Sequence, residues 1–179
     1  MKGRLRVILI FVTIIVFMGV SGTFAYLVAS TRPVVNTFSP GDISLTLTET
    51  TGDDYIVCPG VPIQKDPVVT VKKGSVDCWL FARVTKSADF DNFMSYQMAD
   101  GWQLLDGYTD VYYREVQISA EDVGFPLIKD NTVSVYDTVT EKMLAALTNK
   151  PTLEFKAYAI QRAEFDSVVN AWQTISKEG

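Results

Sequence analysis

From Val7 to Val20 the chain carries no charge, and Lys2, Arg4 and Arg6 stand just before that run. Ser21-Gly22-Thr23-Phe24-Ala25 follows it. Cations, an apolar stretch and small residues in that order are the pattern of a secretory signal. A signal peptidase accepts small side chains one and three residues before its cut. Ala25 and Thr23 meet that requirement, which places cleavage between Ala25 and Tyr26. A cut after Ala29 ranks second, because bulky Leu27 would then sit three residues upstream. The stretch from Val7 to Ala29 also reaches the roughly 20 residues a spanning helix needs, so an uncleaved anchor is the alternative. The small-residue patch and the early switch to strand-like sequence favour the cut. The expected organisation is a signal helix within a signal peptide at 1–25 and a single domain at 26–179.

Cleavage removes three of the 16 cations and none of the 21 acids, which takes the net charge from −5 to −8. That balance disfavours nucleic acid as a partner, and no Lys/Arg stripe offsets it. It fits a secreted extracellular protein that meets the membrane only through an uncleaved signal. Cys58 and Cys78 are the two cysteines. In an exported protein they form a candidate disulfide, and closing a loop of about 20 residues would contribute on the order of 3 kcal/mol. The alternative is that Cys78, beside Trp79 in an apolar run, is a small buried hydrophobe.

The rest of the chain reads as short strands. Ser44-Leu45-Thr46-Leu47-Thr48 alternates with period two. Val68–Val71 and Trp79–Val84 flank the turn-like Lys72-Lys73-Gly74-Ser75 and are expected to pair as a hairpin. Pro62 and Pro67 remove ladder donors, which puts the approach to Val68 at an edge or kink. Further strands are expected at Phe93–Met98, Gly101–Leu105, Val111–Ile118, Thr132–Tyr136 and Thr152–Gln161. Turn pairs Asp100-Gly101, Asp106-Gly107 and Asp130-Asn131 lie between them. Two short helices interrupt this pattern. Thr138-Val139-Thr140-Glu141 reads as a capping box opening a helix at Lys142–Leu147, with Thr138 as N-cap. Phe165, Val168, Val169, Trp172 and Ile175 form one helical apolar stripe, expected to pack on the domain's own sheet. Together these features predict a mainly β chain, a jelly-roll-like β-sandwich.

The composition excludes much chemistry. There is no histidine, so no Ser-His-Asp or Cys-His pair and no His-Glu-x-x-His zinc site. Two cysteines do not complete a structural zinc site, and no phosphate-binding glycine loop occurs. Asp53-Asp54 and the group Asp100, Asp106 and Asp110 match no EF-hand spacing and read as solvated turn acids. Trp102, Tyr108, Tyr112 and Tyr113 would suit a carbohydrate platform, but cross-strand core pairs explain them more simply. No catalytic residue, metal site or cofactor is expected, and the chain reads as no enzyme.

Several blocks bear a family likeness. Gly22-Thr23-Phe24-Ala25-Tyr26 resembles signals processed by SipW-type signal peptidases. Asn36-Thr37-Phe38-Ser39-Pro40-Gly41-Asp42-Ile43-Ser44-Leu45 resembles an early strand entry of the TasA/camelysin family of Gram-positive bacteria. Pro59-Gly60, Ile63, Lys65-Asp66-Pro67, Val69 and Val71 are similar to a central block of that family, continued by Gly74-Ser75, Asp77 and Trp79. Phe155, Ala157-Tyr158-Ala159-Ile160-Gln161 and Ala171-Trp172 are similar to its clostridial-type members. The likeness covers both ends and the centre, and is weakest from about Ser87 to Asn131.

The resemblance implies a jelly roll, export, and a place in a biofilm matrix or cell-surface fibre, with other matrix or fibre subunits, or further copies, as partners. It also implies that an N-terminal segment completes the sheet of a neighbour, for which Val34, Val35 and Phe38 are the candidate donor residues. Some relatives are classed as metallopeptidases, a reading that the lack of histidine counts against. A monomeric adhesin or binding module is the remaining alternative.

Overall fold

The structure is a computed structural model and describes residues 43–52, 55 and 57–177, together with the backbone of 34–35. The chain is mainly β. Its strands are β1 (Val34–Val35), β2 (Leu45–Thr48), β3 (Ile63–Gln64), β4 (Val68–Val71), β5 (Cys78–Lys86), β6 (Met94–Met98), β7 (Gln103–Leu104), β8 (Val111–Val116), β9 (Val123–Pro126), β10 (Ile128–Val135) and β11 (Leu153–Gln161). The helices are α1 (Phe90–Phe93), α2 (Glu141–Ala145) and α3 (Val168–Ile175), with a 3-10 turn at Arg162–Glu164. The strands form three sheets, ordered β1-β11-β5-β8-β7, β3-β10-β6 and β2-β4-β9. All pairings are antiparallel except β1 on β11.

Period-two alternation explains how the sheets share a core. On β5, Cys78, Leu80, Ala82 and Val84 enter one buried cluster, to which β11 adds Leu153, Phe155, Ala157 and Ala159. Both three-stranded sheets contribute to the same cluster, through residues such as Leu45, Val69, Met94 and Val133. The opposite parity, Phe81, Val111, Tyr158 and Ile160, builds a second cluster with Ala171, Trp172 and Ile175 of α3. The middle of the five-stranded sheet is therefore buried on both faces. The C-terminal stripe packs on the chain's own sheet as expected, with Trp172 against Phe81, Tyr108 and Tyr158 at 5.2–6.2 Å.

Several expectations need correction. β4 and β5 are not a hairpin: β4 pairs with β2 and β9, whereas β5 pairs with β11 and β8. The turn at Lys72–Ser75 is real, with Gly74 at φ +80°, but it carries the chain from one sheet to another. It is fixed by neighbours in place of a partner strand. The Ser75 hydroxyl donates to Lys72 O (2.7 Å) and accepts from Ser44 N (3.2 Å), while Asp122 accepts from Lys73 N at 2.9 Å. Pro67 precedes a central strand, although Pro62 does precede an edge strand.

Among the described residues there are three helices, where two were expected beyond the signal helix, which lies outside them; Phe90 and Phe93 bury one face of the additional single turn. Thr138 is not the N-cap. Val139 is buried and its N–H donates to Tyr136 O at 3.2 Å, so the chain turns there and Thr140 caps α2 instead, accepting from Met143 N at 3.3 Å. Asp130 and Asn131 do not separate strands. They sit inside β10 at φ 53° and 52°, where the register to β6 slips between Ile128 and Val133. Asp and Asn tolerate that left-handed geometry better than most residues.

Candidate assembly surface

β11 is built as an interior strand. Towards β5 it keeps an unbroken register from Leu153↔Lys86 to Gln161↔Cys78. Its side chains feed both buried clusters. Its outer edge is different. Among the described residues, this nine-residue strand meets only the two-residue β1, in parallel, through Val34↔Lys156 and Val35↔Ala157. Unpaired N–H and C=O groups on such an edge are a template for another strand.

Two of the candidate donor residues, Val34 and Val35, thus pair with their own β11, beginning just after Pro33. Phe38 lies outside the described residues, as do Thr23, Ala25 and Tyr26 of the expected cleavage site. Cys58 and Cys78 are free thiols in place of the candidate disulfide. Cys58 is exposed ahead of the Pro59-Gly60 turn, whereas Cys78 is wholly buried where β5 begins. Burial, reinforced by the charge of Asp77, pushes the Cys78 thiol up to about 12, so it behaves as a packed hydrophobe.

The turn acids are dispersed into ion pairs, Asp100 with Lys129 (3.3 Å) and Asp110 with Arg83 (3.0 Å). Asp53 and Asp54 lie outside the described residues, among which no group of His, Cys, Asp or Glu could hold a metal ion. The four aromatic candidates divide between the two clusters and make no common platform. Trp102 and Tyr112 pack on the first, Tyr108 and Tyr113 on the second. The Trp102 indole donates to Pro126 O at 2.8 Å.

Two cations that sequence reasoning passed over organise the interior. Lys65 is fully buried, with its ammonium donating to both oxygens of Glu49 at 2.7 and 2.9 Å. It lies 5.3 Å from the Tyr55 ring centroid, and the Tyr55 hydroxyl reaches Glu49 Oε1 and Gly52 O. Burial, then the bond to Glu49, raises the pKa of that phenol. The next residue, Asp66, accepts from Thr50 N and Thr51 N at 2.9 Å each and from both threonine hydroxyls. Burial acts to raise its pKa, but these hydrogen bonds outweigh it and hold the carboxyl at about 2. Lys65-Asp66-Pro67 thereby pins the chain around Glu49–Gly52 to the start of β4. The signal was present in the sequence, since Ile63, Lys65, Pro67, Val69 and Val71 share one inward parity.

Arg114 follows the same logic on β8, sharing its parity with Tyr112 and Val116. Its guanidinium carbon lies 4.1 Å from the Phe125 ring centroid and 5.5 Å from that of Trp102. Gly101, at φ +89°, leaves it room, because a Cβ there would stand 3.0 Å from Nη2. The Arg114 Nε is buried without a hydrogen-bond partner, and burial lowers the pKa of the group.

Comparison of the chain with protein-family models, with curated proteins and with solved structures returns no match.

Proposed function

We propose that this chain is a secreted or cell-surface structural protein of an extracellular matrix, a fibre or fibre-accessory subunit with a jelly-roll-like sandwich fold. The observation that carries this reading is the outer edge of β11. Along its outer edge the nine-residue β11, buried on both faces over Ala157–Ile160, meets among the described residues only the two residues of β1. The backbone contacts that seat β1 on its own β11 are available, position for position, to the same segment of another copy. Exchange of identical elements is a low-cost route from monomer to polymer. The segment would be freed at its N-terminal side by signal cleavage after Ala25. A monomeric surface module is the second reading, and the pairing of Val34–Val35 within its own domain favours it.

Deleting Tyr26–Val35 from the exported chain separates the two. Under the assembly reading the product stays folded by circular dichroism but no longer forms filaments in electron micrographs. Wild-type filaments from the deletion variant, or a full-length exported protein that never polymerises, would exclude the reading.

A further inference from the structure

Among the three described arginines, Arg83 holds Asp110 at 3.0 Å and Arg162 holds Glu115 at 2.5 Å, whereas Arg114 has no carboxylate of the described residues within ion-pair distance. Its position is nonetheless fixed between Phe125 and Trp102 beside Gly101. The residue is partly exposed while its Nε is buried and unpartnered. We propose that Arg114 is a preformed receptor for a carboxylate carried by a second copy of this chain, an inference that rests on the assembly reading above.

Three observations converge on that occupant. A guanidinium already stacked between rings has lost its rotamer freedom, so less entropy remains to be lost when its planar fork meets a carboxylate. The chain has 21 acids against 16 cations, so each copy offers surplus carboxylates to its neighbours. The place in the fold also fits. β8 is separated from β11 by β5, and the edge strand β7 beyond it pairs only with Tyr112 and Tyr113, which leaves Arg114 next to the side of the five-stranded sheet remote from β1. A head-to-tail contact joins two unlike patches, and an edge at one flank with a receptor at the other supplies them.

The test compares exported wild-type protein with Arg114→Met and Arg114→Lys, reading the threshold concentration for assembly by light scattering at low and high salt. Met fills the slot between the rings but donates nothing, and Lys keeps the charge without the fork. Loss of a charge-assisted hydrogen bond corresponds to a threshold raised about tenfold or more for Met, with Lys intermediate and thermal midpoints close to wild type. Salt should narrow the gap between wild type and Arg114→Met, because general screening acts on both proteins and only wild type has the ion pair to lose. Assembly of Arg114→Met at the wild-type threshold overturns the carboxylate site and leaves the matrix reading standing. A wild-type protein that stays monomeric overturns both. If Arg114→Met does not fold, the wild-type salt dependence decides, and a threshold indifferent to salt overturns the proposal.

Discussion

Lys65, between β3 and β4, and Arg114, on β8, both fall at inward-facing positions, yet they are solved in opposite ways. Lys65 has no exposed surface and carries its counter-ion inside, with Glu49 at 2.7 Å and the Tyr55 hydroxyl donating to the same carboxylate. Arg114 keeps some exposure and is stabilised by ring faces, with no carboxylate of the described residues in an ion pair with it. The difference follows from desolvation. An ion removed entirely from water costs several kcal/mol unless it is paired, whereas one at the margin is sustained by cation–π attraction and residual solvent. The first arrangement holds the fold together. The second leaves donors to spare at the surface.

The comparison is most easily broken at Lys65. Lys65→Met removes the ammonium from the part-buried Glu49 carboxylate and should destabilise the domain by about 3–5 kcal/mol in urea unfolding. Adding Glu49→Leu should recover most of that loss, since an apolar pair of similar volume replaces the ions. A loss below about 1 kcal/mol for Lys65→Met alone would mean that the pair is not buried as described.

Asp66, one residue on, sharpens the picture through pH. Its carboxyl is held at about 2 in the folded chain, below the roughly 3.9 of an unfolded aspartate. Its contribution is therefore complete above about pH 4 and is lost as the pH falls towards 2. Asp66→Asn should cost about 1–2 kcal/mol at neutral pH, and the gap from wild type should narrow across that acid window. A gap that stays constant from pH 5 to pH 2 would contradict the hydrogen-bonded carboxylate. Smallest of all should be Arg114→Met, at less than about 1 kcal/mol by thermal denaturation, because packing between the rings survives and only cation–π attraction is lost. A cost matching that of Lys65→Met would make Arg114 a structural charge like its counterpart.

Legibility in the sequence followed the range of the forces involved. β2 and β4 were readable because each buries alternate side chains, β5, β8 and β11 because each is a run rich in apolar, aromatic and β-branched residues, and α3 because its stripe recurs at helical spacing. β9 was hidden, since Val-Gly-Phe-Pro holds a glycine and a proline and is tolerable only at the sheet edge it occupies. The partner of β5 was hidden too, because β11 lies some seventy residues on and no local pattern selects it over β4. Lys65 entered the sequence reading only as part of the family-like block, and Glu49 was not singled out. Continuing the inward parity from Ile63 to Val71 would have exposed the buried lysine. The thiols could not be apportioned from spacing, because the burial that separates Cys78 from Cys58 is set by sheet pairing.

The central claim concerns which chain supplies the strand at the β11 edge, and a cross-link reads it directly. Val34 and Lys156 are register partners, so Val34→Cys with Lys156→Cys, in a Cys58→Ser background, places two thiols across that pairing. The purified chain starting at Tyr26 is incubated under assembly conditions, oxidised and run on a denaturing, non-reducing gel. Exchange between copies predicts a ladder of covalent dimers and higher species that collapses on reduction. A single monomer band containing an internal disulfide, at every concentration tried, would show that the segment closes its own sheet and would contradict the account.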